Sequence, residues 1–129
     1  MNFAALGAFS LAVAVALGAF GAHGLKNHLD AYLMGIWEKA VFYQFIHSFG
    51  LLVVGLAARP GRLNAAPLDP ATASRVGWLL LAGIILFSGS LYALALTRVT
   101  AFGAITPLGG TAFIAAWVWL GVGLWRSRS

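Results

Sequence analysis

The feature that most constrains this chain is a run of 20 residues, 3–22, that contains no charged side chain. As an α-helix this run would be about 30 Å long, which matches the hydrocarbon core of a bilayer. Further long apolar runs follow at 38–58, 74–96 and 107–125. Hydrophobic residues make up 61% of the 129 residues and charged residues only 9%, so a water-soluble fold could not cover the apolar surface. The pattern predicts an all-α fold: one integral membrane domain, 1–129, whose four spans form a helix bundle.

A cleaved signal peptide is the competing interpretation of the first run. The start, MNF, lacks the basic residues of such a peptide, and the apolar stretch is longer than usual. We therefore expect residues 3–22 to remain as the first span, in contact with the lipid bilayer.

The basic residues predict an orientation. The net charge is +5, but these residues stand singly at the ends of the runs rather than in a cluster, so we expect no nucleic-acid partner. Four spans place both termini on one side of the membrane. That side would carry Arg59, Arg62, Arg75, Arg126 and Arg128, against Lys26, Lys39 and Arg98 on the other. The excess of five over three predicts an N-in, C-in topology.

Local signals mark where three of the helices begin. Asp30, or Asn27 before it, can cap the second helix, which then runs to about Ala58. Asp69 followed by a proline predicts the cap and first turn of the third helix, and Thr106 followed by a proline predicts the same for the fourth. We also expect Trp37, Trp78 and Trp125 to lie at the membrane interfaces.

Around the second helix the polar residues fall on one half of the helical wheel. That half holds Lys39, Tyr43, Gln44, His47 and Ser48, together with Ala40 and Gly50. The other half holds Val41, Phe42, Phe45, Phe49, Leu52 and Val53. In a bilayer the apolar half should face lipid and the polar half the bundle interior. Glu38 falls on the apolar side, close enough to the interface to reach water.

Residues at matching depth in the third helix complete a candidate intramembrane site. Ser88 and Tyr92 are four residues apart and would share a face with Gly89 and Ala95. The candidate site is therefore Tyr43, Gln44, His47, Ser88 and Tyr92. Two interpretations of His47 stay open: a hydrogen bond to a hydroxyl across the bundle, or a proton relay or ligand contact.

The first helix carries Ser10, Ala14, Gly18 and Ala22 at four-residue spacing. Small side chains in such a stripe permit close approach of a second helix, so the stripe predicts packing within the bundle or between chains, as in a homo-oligomer.

A second candidate site lies at the outward ends of the helices. Its members are His23, Glu38, Lys39, Thr106, Gly109 and Gly110, where the first turn of the fourth helix offers free N–H groups to an anion or headgroup. The chain has no cysteine, and His23 and His28 are not spaced to bind one metal ion, so we expect no metal or other cofactor. No acid lies at the depth of His47 to orient a catalytic base, so we expect no enzyme.

Four stretches together resemble the domain of unknown function 423 family. They are LGAFGAHGLK at 17–26, YQFIHSFGLL at 43–52, FSGSLYALAL at 87–96 and GAITPLGG at 103–110. The resemblance covers nearly the whole chain and extends to the eukaryotic transmembrane protein 256. It implies a multi-pass protein of the bacterial inner (plasma) membrane and no established activity.

These observations leave two main hypotheses for function. The first is a non-enzymatic membrane component that binds a membrane-protein assembly or a lipid. The alternative is a small-solute, proton or lipid pathway lined by the polar faces of helices two and three.

Overall fold

A computed structural model describes residues 1–61 and 66–127, and over these residues all regular structure is helical. The helices are α1 (Phe3–His23), α2 (Ala31–Ala57), α3 (Pro70–Gly83), α4 (Gly89–Thr97) and α5 (Thr106–Arg126). A π-helical turn, Ile84–Ser88, joins α3 and α4 into one rod, and a 3₁₀ turn, Thr100–Ala104, leads towards α5. Four helical segments are long and apolar enough to cross a membrane, which confirms the all-α membrane fold. Arg62 and Arg128, used above to predict topology, lie outside the described residues.

Two of the three predicted helix caps are confirmed. The Asp30 carboxylate accepts a hydrogen bond from Leu33 N at 2.8 Å, and the Asp69 carboxylate accepts from the first free amides of α3. The cap predicted at Thr106 is wrong: Ile105 precedes α5 in helical conformation, and no side chain caps the helix. The reason is tertiary, because the Thr106 hydroxyl is engaged with Ser90 Oγ at 2.6 Å.

The π-helical turn in the third span has no counterpart in the sequence prediction. A π turn holds one residue more than an α turn, so the helix beyond it is rotated relative to the helix before it. Ser88, the last residue of the turn, faces α2, and Ser90, beyond the turn, faces Thr106. Gly89 is predicted to share the face of Ser88, but it is exposed, and a Cβ at this position would have no neighbour within 4 Å.

Helices α1 and α2 form the closest pair, through small residues. A Cβ on Gly7 would lie 2.7 Å from Ser48 O, and one on Gly55 would meet the backbone of Ala4. The predicted stripe is partly wrong, because Ala22 is exposed whereas Gly7, Ala14 and Gly21 are buried. These three residues are spaced by seven, the repeat of two helices that cross at a shallow left-handed angle, and a strict four-residue stripe drifts away from that contact.

Trp37 is not an interfacial anchor. Its indole is only 3% exposed, and its Nε1 donates a hydrogen bond to Leu17 O at 2.9 Å. The indole fits because Gly21 leaves no side chain in its way. Trp78 and Trp125, by contrast, are 50% and 81% exposed.

Contacts between helices define two ends of the bundle. At the first, here called the terminal end, Arg59 Nη2 donates to Asn2 Oδ1 at 2.9 Å and Gly123 packs against Thr72. At the second, the far end, Arg98 Nη2 donates to His28 O at 3.3 Å. The start of α1 and the end of α5 therefore both lie at the terminal end, as an even number of spans requires.

Candidate functional site

Most of the inward polar stripe of α2 is buried as the helical wheel indicates, whereas Lys39 at its start is exposed. Gln44 and His47 are each 5% exposed and Ser48 is fully enclosed, while Tyr43 is half-buried. The wheel is wrong at Val41, which is buried against Gly18 of α1 rather than facing lipid. Helix α1 covers part of the apolar half of α2 in addition to the polar stripe. The arc of α2 that faces lipid is therefore narrower than the sequence suggested.

Gln44 is the centre of a hydrogen-bond network that joins three helices. Its Nε2 donates to Ser10 O at 3.1 Å and lies 3.3 Å from Ser10 Oγ, and its Oε1 accepts from the Tyr92 hydroxyl at 2.7 Å. Ser10 Oγ also lies 2.6 Å from Ser48 Oγ. The network thus ties α1, α2 and α4 together at one depth. The four-residue stripe indicates only a packing role for Ser10, although its hydroxyl at the depth of Gln44 is a usable signal for a hydrogen bond.

Ser88 joins α2 by a different contact. Its hydroxyl donates to the backbone carbonyl of Ala40 at 2.7 Å, and the side chain is fully buried. The structure therefore joins three of the five predicted intramembrane residues, Gln44, Ser88 and Tyr92, to a neighbouring helix by hydrogen bonds, but it does not pair Ser88 with His47.

His47 makes no cross-bundle hydrogen bond to a hydroxyl among the described residues, so that expectation is wrong. Its Nδ1 lies 2.7 Å from Tyr43 O, one turn earlier in its own helix. A carbonyl can only accept, so Nδ1 carries the proton and the neutral ring leaves Nε2 with a lone pair. The ring stacks on Phe113 of α5 with the centroids 3.4 Å apart. Aromatic packing, not a hydroxyl, thus links His47 to the opposite helix.

Pairing of the buried polar atoms is complete in the described part of the chain. No side-chain nitrogen or oxygen there is both sealed from the surface and without a hydrogen-bond partner. His47 Nε2, which has no partner among these residues, is therefore not fully sealed. Within the candidate intramembrane site, His47 Nε2 and the Tyr43 hydroxyl are the side-chain groups that have no hydrogen-bond partner among the described residues.

The residues predicted for the outward site serve different purposes. His23, Glu38 and Lys39 are exposed at or near the far end. Gly109 is a packing glycine, because a Cβ there would overlap the backbone of Phe87, and Gly110 is half-buried beside it. Glu38 borders a cleft of about 250 Å³ between α1 and α2, lined mainly by apolar side chains. Within residues 1–61 and 66–127 no three acidic or histidine side chains stand close enough to hold a metal ion.

A larger groove, which the sequence did not indicate, lies at the terminal end between α3 and α5. Its volume is about 730 Å³. Arg75 and Arg126 line it, and the Arg75 guanidinium lies 5.4 Å from the centroid of the Trp119 ring. Asp69 also borders it; hydrogen bonds from Thr72 lower the pKa of its carboxyl, helped by the Ala71 amide and the charge of Arg75. From the sequence, the arginines predict only the topology of the chain, because nothing in the sequence shows that they border one groove.

Comparison with known proteins gives one consistent result. Residues 17–110 match the family described as "Protein of unknown function (DUF423)". The chain is 47% identical to a UPF0382 membrane protein of Staphylococcus saprophyticus over 96% of this chain and 97% of the relative. It is 45% identical to a UPF0382 membrane protein of Bacillus subtilis over 90% and 89% of the two chains. A search of solved structures finds no match.

Proposed function

We propose that this chain, which belongs to the DUF423 family of membrane proteins, is a non-enzymatic component of the inner membrane that binds a membrane-protein assembly or a lipid through its outer surface. The topology that goes with this proposal is N-in, C-in. Nothing in the family's description or in the described geometry points to catalysis.

The observation that carries the proposal is the use of the interior polar groups. Gln44, Ser88 and Tyr92 are each held by a short hydrogen bond to a neighbouring helix. In a bilayer such interhelical bonds stabilise helix pairs by about 0.6–1.7 kcal/mol each. Groups occupied in this way support a closed interior, which leaves the lipid-facing surface as the binding surface.

Native mass spectrometry of the full chain, released from membrane vesicles in mild detergent, tests the proposal. We expect the 13.5-kDa chain to carry a lipid or a second polypeptide in a fixed ratio. A variant altered only inside, Gln44→Leu, should keep the bound species because its surface is unchanged. A bare monomer at every detergent concentration would remove the support for this function.

One observation favours the alternative, a proton pathway. His47 Nε2 has a free lone pair and some exposure, as a relay group requires. Proteoliposomes that enclose a pH-sensitive dye measure proton flux directly. A pathway predicts flux that His47→Phe abolishes and that His23→Phe, an exposed control at the far end, leaves unchanged. A wild-type flux equal to that of protein-free liposomes would count against it.

A further inference from the structure

The groove at the terminal end combines a charged mouth with an apolar floor. Asp69, Thr72 and Arg75 border it from the side of α3, and Arg126 and Ser127 border it at the end of α5. Its remaining lining is mainly apolar: Ala115, Val118, Trp119, Val122 and Gly123. From Arg126 to Ala115 the groove follows about 16 Å of helix, close to the half-thickness of a bilayer's hydrocarbon core.

The charges at the mouth are suited to an anion. Arg75 rests over the Trp119 ring, an arrangement that leaves the edge of the guanidinium available for bidentate hydrogen bonds. Asp69 is the only acidic residue among the groove's lining residues, and its Oδ1 already accepts hydrogen bonds from Ala71 N and Thr72 N. Two guanidinium groups and one carboxylate committed to capping α3 leave the mouth with a net positive charge.

The position of the groove selects among anions. Val118 and Val122 are exposed apolar residues on a membrane-spanning helix, so the floor of the groove faces the acyl-chain region of the bilayer. A soluble anion such as inorganic phosphate would use the arginines and leave this floor unused. A phospholipid would use both parts, because its phosphate and its acyl chain are joined at the depth where the charged mouth meets the apolar floor.

We propose that this groove binds one anionic phospholipid, with its phosphate held by Arg75 and Arg126 and one acyl chain lying along Val118 and Val122. The net positive mouth favours a headgroup with a net negative charge, such as phosphatidylglycerol, over zwitterionic phosphatidylcholine. This inference rests on the proposed function and narrows it, since it assigns the bound species to a class and a place.

The test titrates phosphatidylglycerol or phosphatidylcholine into the full-length protein in detergent and counts bound lipid by native mass spectrometry. We expect phosphatidylglycerol to bind more tightly, with one molecule per chain. Arg75→Gln with Arg126→Gln should weaken binding by about ten-fold or more, the expected result of losing charge-assisted hydrogen bonds. The control, Arg59→Gln with Lys26→Gln, removes the same charge elsewhere and should change binding less than two-fold, as roughly expected for general electrostatics alone.

A second variant separates a groove from a charged surface. Val122→Trp keeps every charge but fills the groove, so it should weaken phosphatidylglycerol binding while circular dichroism shows an unchanged helical fold. Equal losses in the arginine pair and in the control pair, or full binding by the Val122 variant, would overturn the proposal. Displacement of the lipid by inorganic phosphate would overturn it too, since the site would then take a free anion.

The same experiments distinguish failure of the groove assignment from failure of the proposed function. The wild type could retain a different lipid or a protein partner while phosphatidylglycerol binding was unchanged by all these substitutions. In that case the assignment of the groove would be wrong and the general function would still be supported. If the wild type retained nothing, both would fail.

Discussion

Replacing Gln44 by leucine tests whether the interior is structural. Leucine has a similar volume but no polar group, so the change leaves packing nearly intact and removes the bonds to Ser10 and Tyr92. Two interhelical hydrogen bonds at about 0.6–1.7 kcal/mol each predict a loss of about 1–3 kcal/mol in unfolding free energy. The upper part of this range applies if the Tyr92 hydroxyl is left without a partner in hydrocarbon.

Reversible unfolding in mixed micelles, followed by tryptophan fluorescence, measures this loss. Trp37 is a suitable reporter because its ring centroid lies 4.7 Å from that of Tyr92. Adding Tyr92→Phe completes a double-mutant cycle. Once Gln44 is gone the hydroxyl has lost its acceptor, so the second substitution should cost little and the coupling energy should be about 1 kcal/mol.

A control variant keeps the comparison specific. Thr111→Val removes a hydroxyl that bonds only to Pro107 O within its own exposed helical turn, so it should change stability by less than about 0.5 kcal/mol. If Gln44→Leu were as stable as the wild type, or if the cycle showed no coupling, the network would not hold the bundle together. The burial of these polar groups would then need another explanation, and the result would favour the hypothesis of a proton or solute pathway.

Three further predictions follow from packing, capping and topology. Gly7→Ala should lower the unfolding free energy by about 1–3 kcal/mol, because a Cβ there would lie 2.5 Å from a backbone nitrogen of α2. Gly35→Ala, at a helical position with nothing within 4 Å, should raise it by about 0.5–1 kcal/mol; the opposite signs would contradict the packing. The lowered pKa of Asp69 means that its capping contribution is complete above the ordinary aspartate pKa of 3.8 and is lost as pH falls through the folded value. On acidification the melting temperature should therefore fall more steeply for wild type than for Asp69→Asn, whose amide oxygen caps without titrating; parallel curves would argue against this linkage. Because the chain has no cysteine, the single substitutions Lys26→Cys and Ser127→Cys report the topology. In intact cells an impermeant maleimide should label the first variant and not the second. The reverse pattern would refute the N-in, C-in topology.

The helix starts show how far local sequence signals reach. Asp30 and Asp69 cap their helices as predicted because a capping carboxylate bonds to amides only two or three residues away. Thr106 carries a similar signature, yet its hydroxyl bonds to Ser90, sixteen residues earlier in the chain. A local pattern cannot reveal that a distant residue competes for the same hydroxyl.

The candidate site shows the same limit. The helical wheel correctly turned Gln44 and His47 inward, since the period of a helix and the cost of polar groups in lipid depend on the sequence alone. It could not say that Gln44 would meet Tyr92, or that His47 would stack on Phe113. Those partners depend on the rotation and crossing angle of whole helices, including a π-helical turn that has no sequence signature of its own.

Hydrophobic length and periodicity are properties of consecutive residues, so the sequence is sufficient to predict a four-span helical membrane protein. Tertiary structure alone decided that Trp37 is buried, that Gly7, Ala14 and Gly21 form the α1–α2 contact, and that Arg75 and Arg126 border one groove. The two arginines are 51 positions apart. Only the packing of α3 against α5 brings them to the same place, and that packing reflects the summed shape of two helical surfaces rather than any one stretch of sequence.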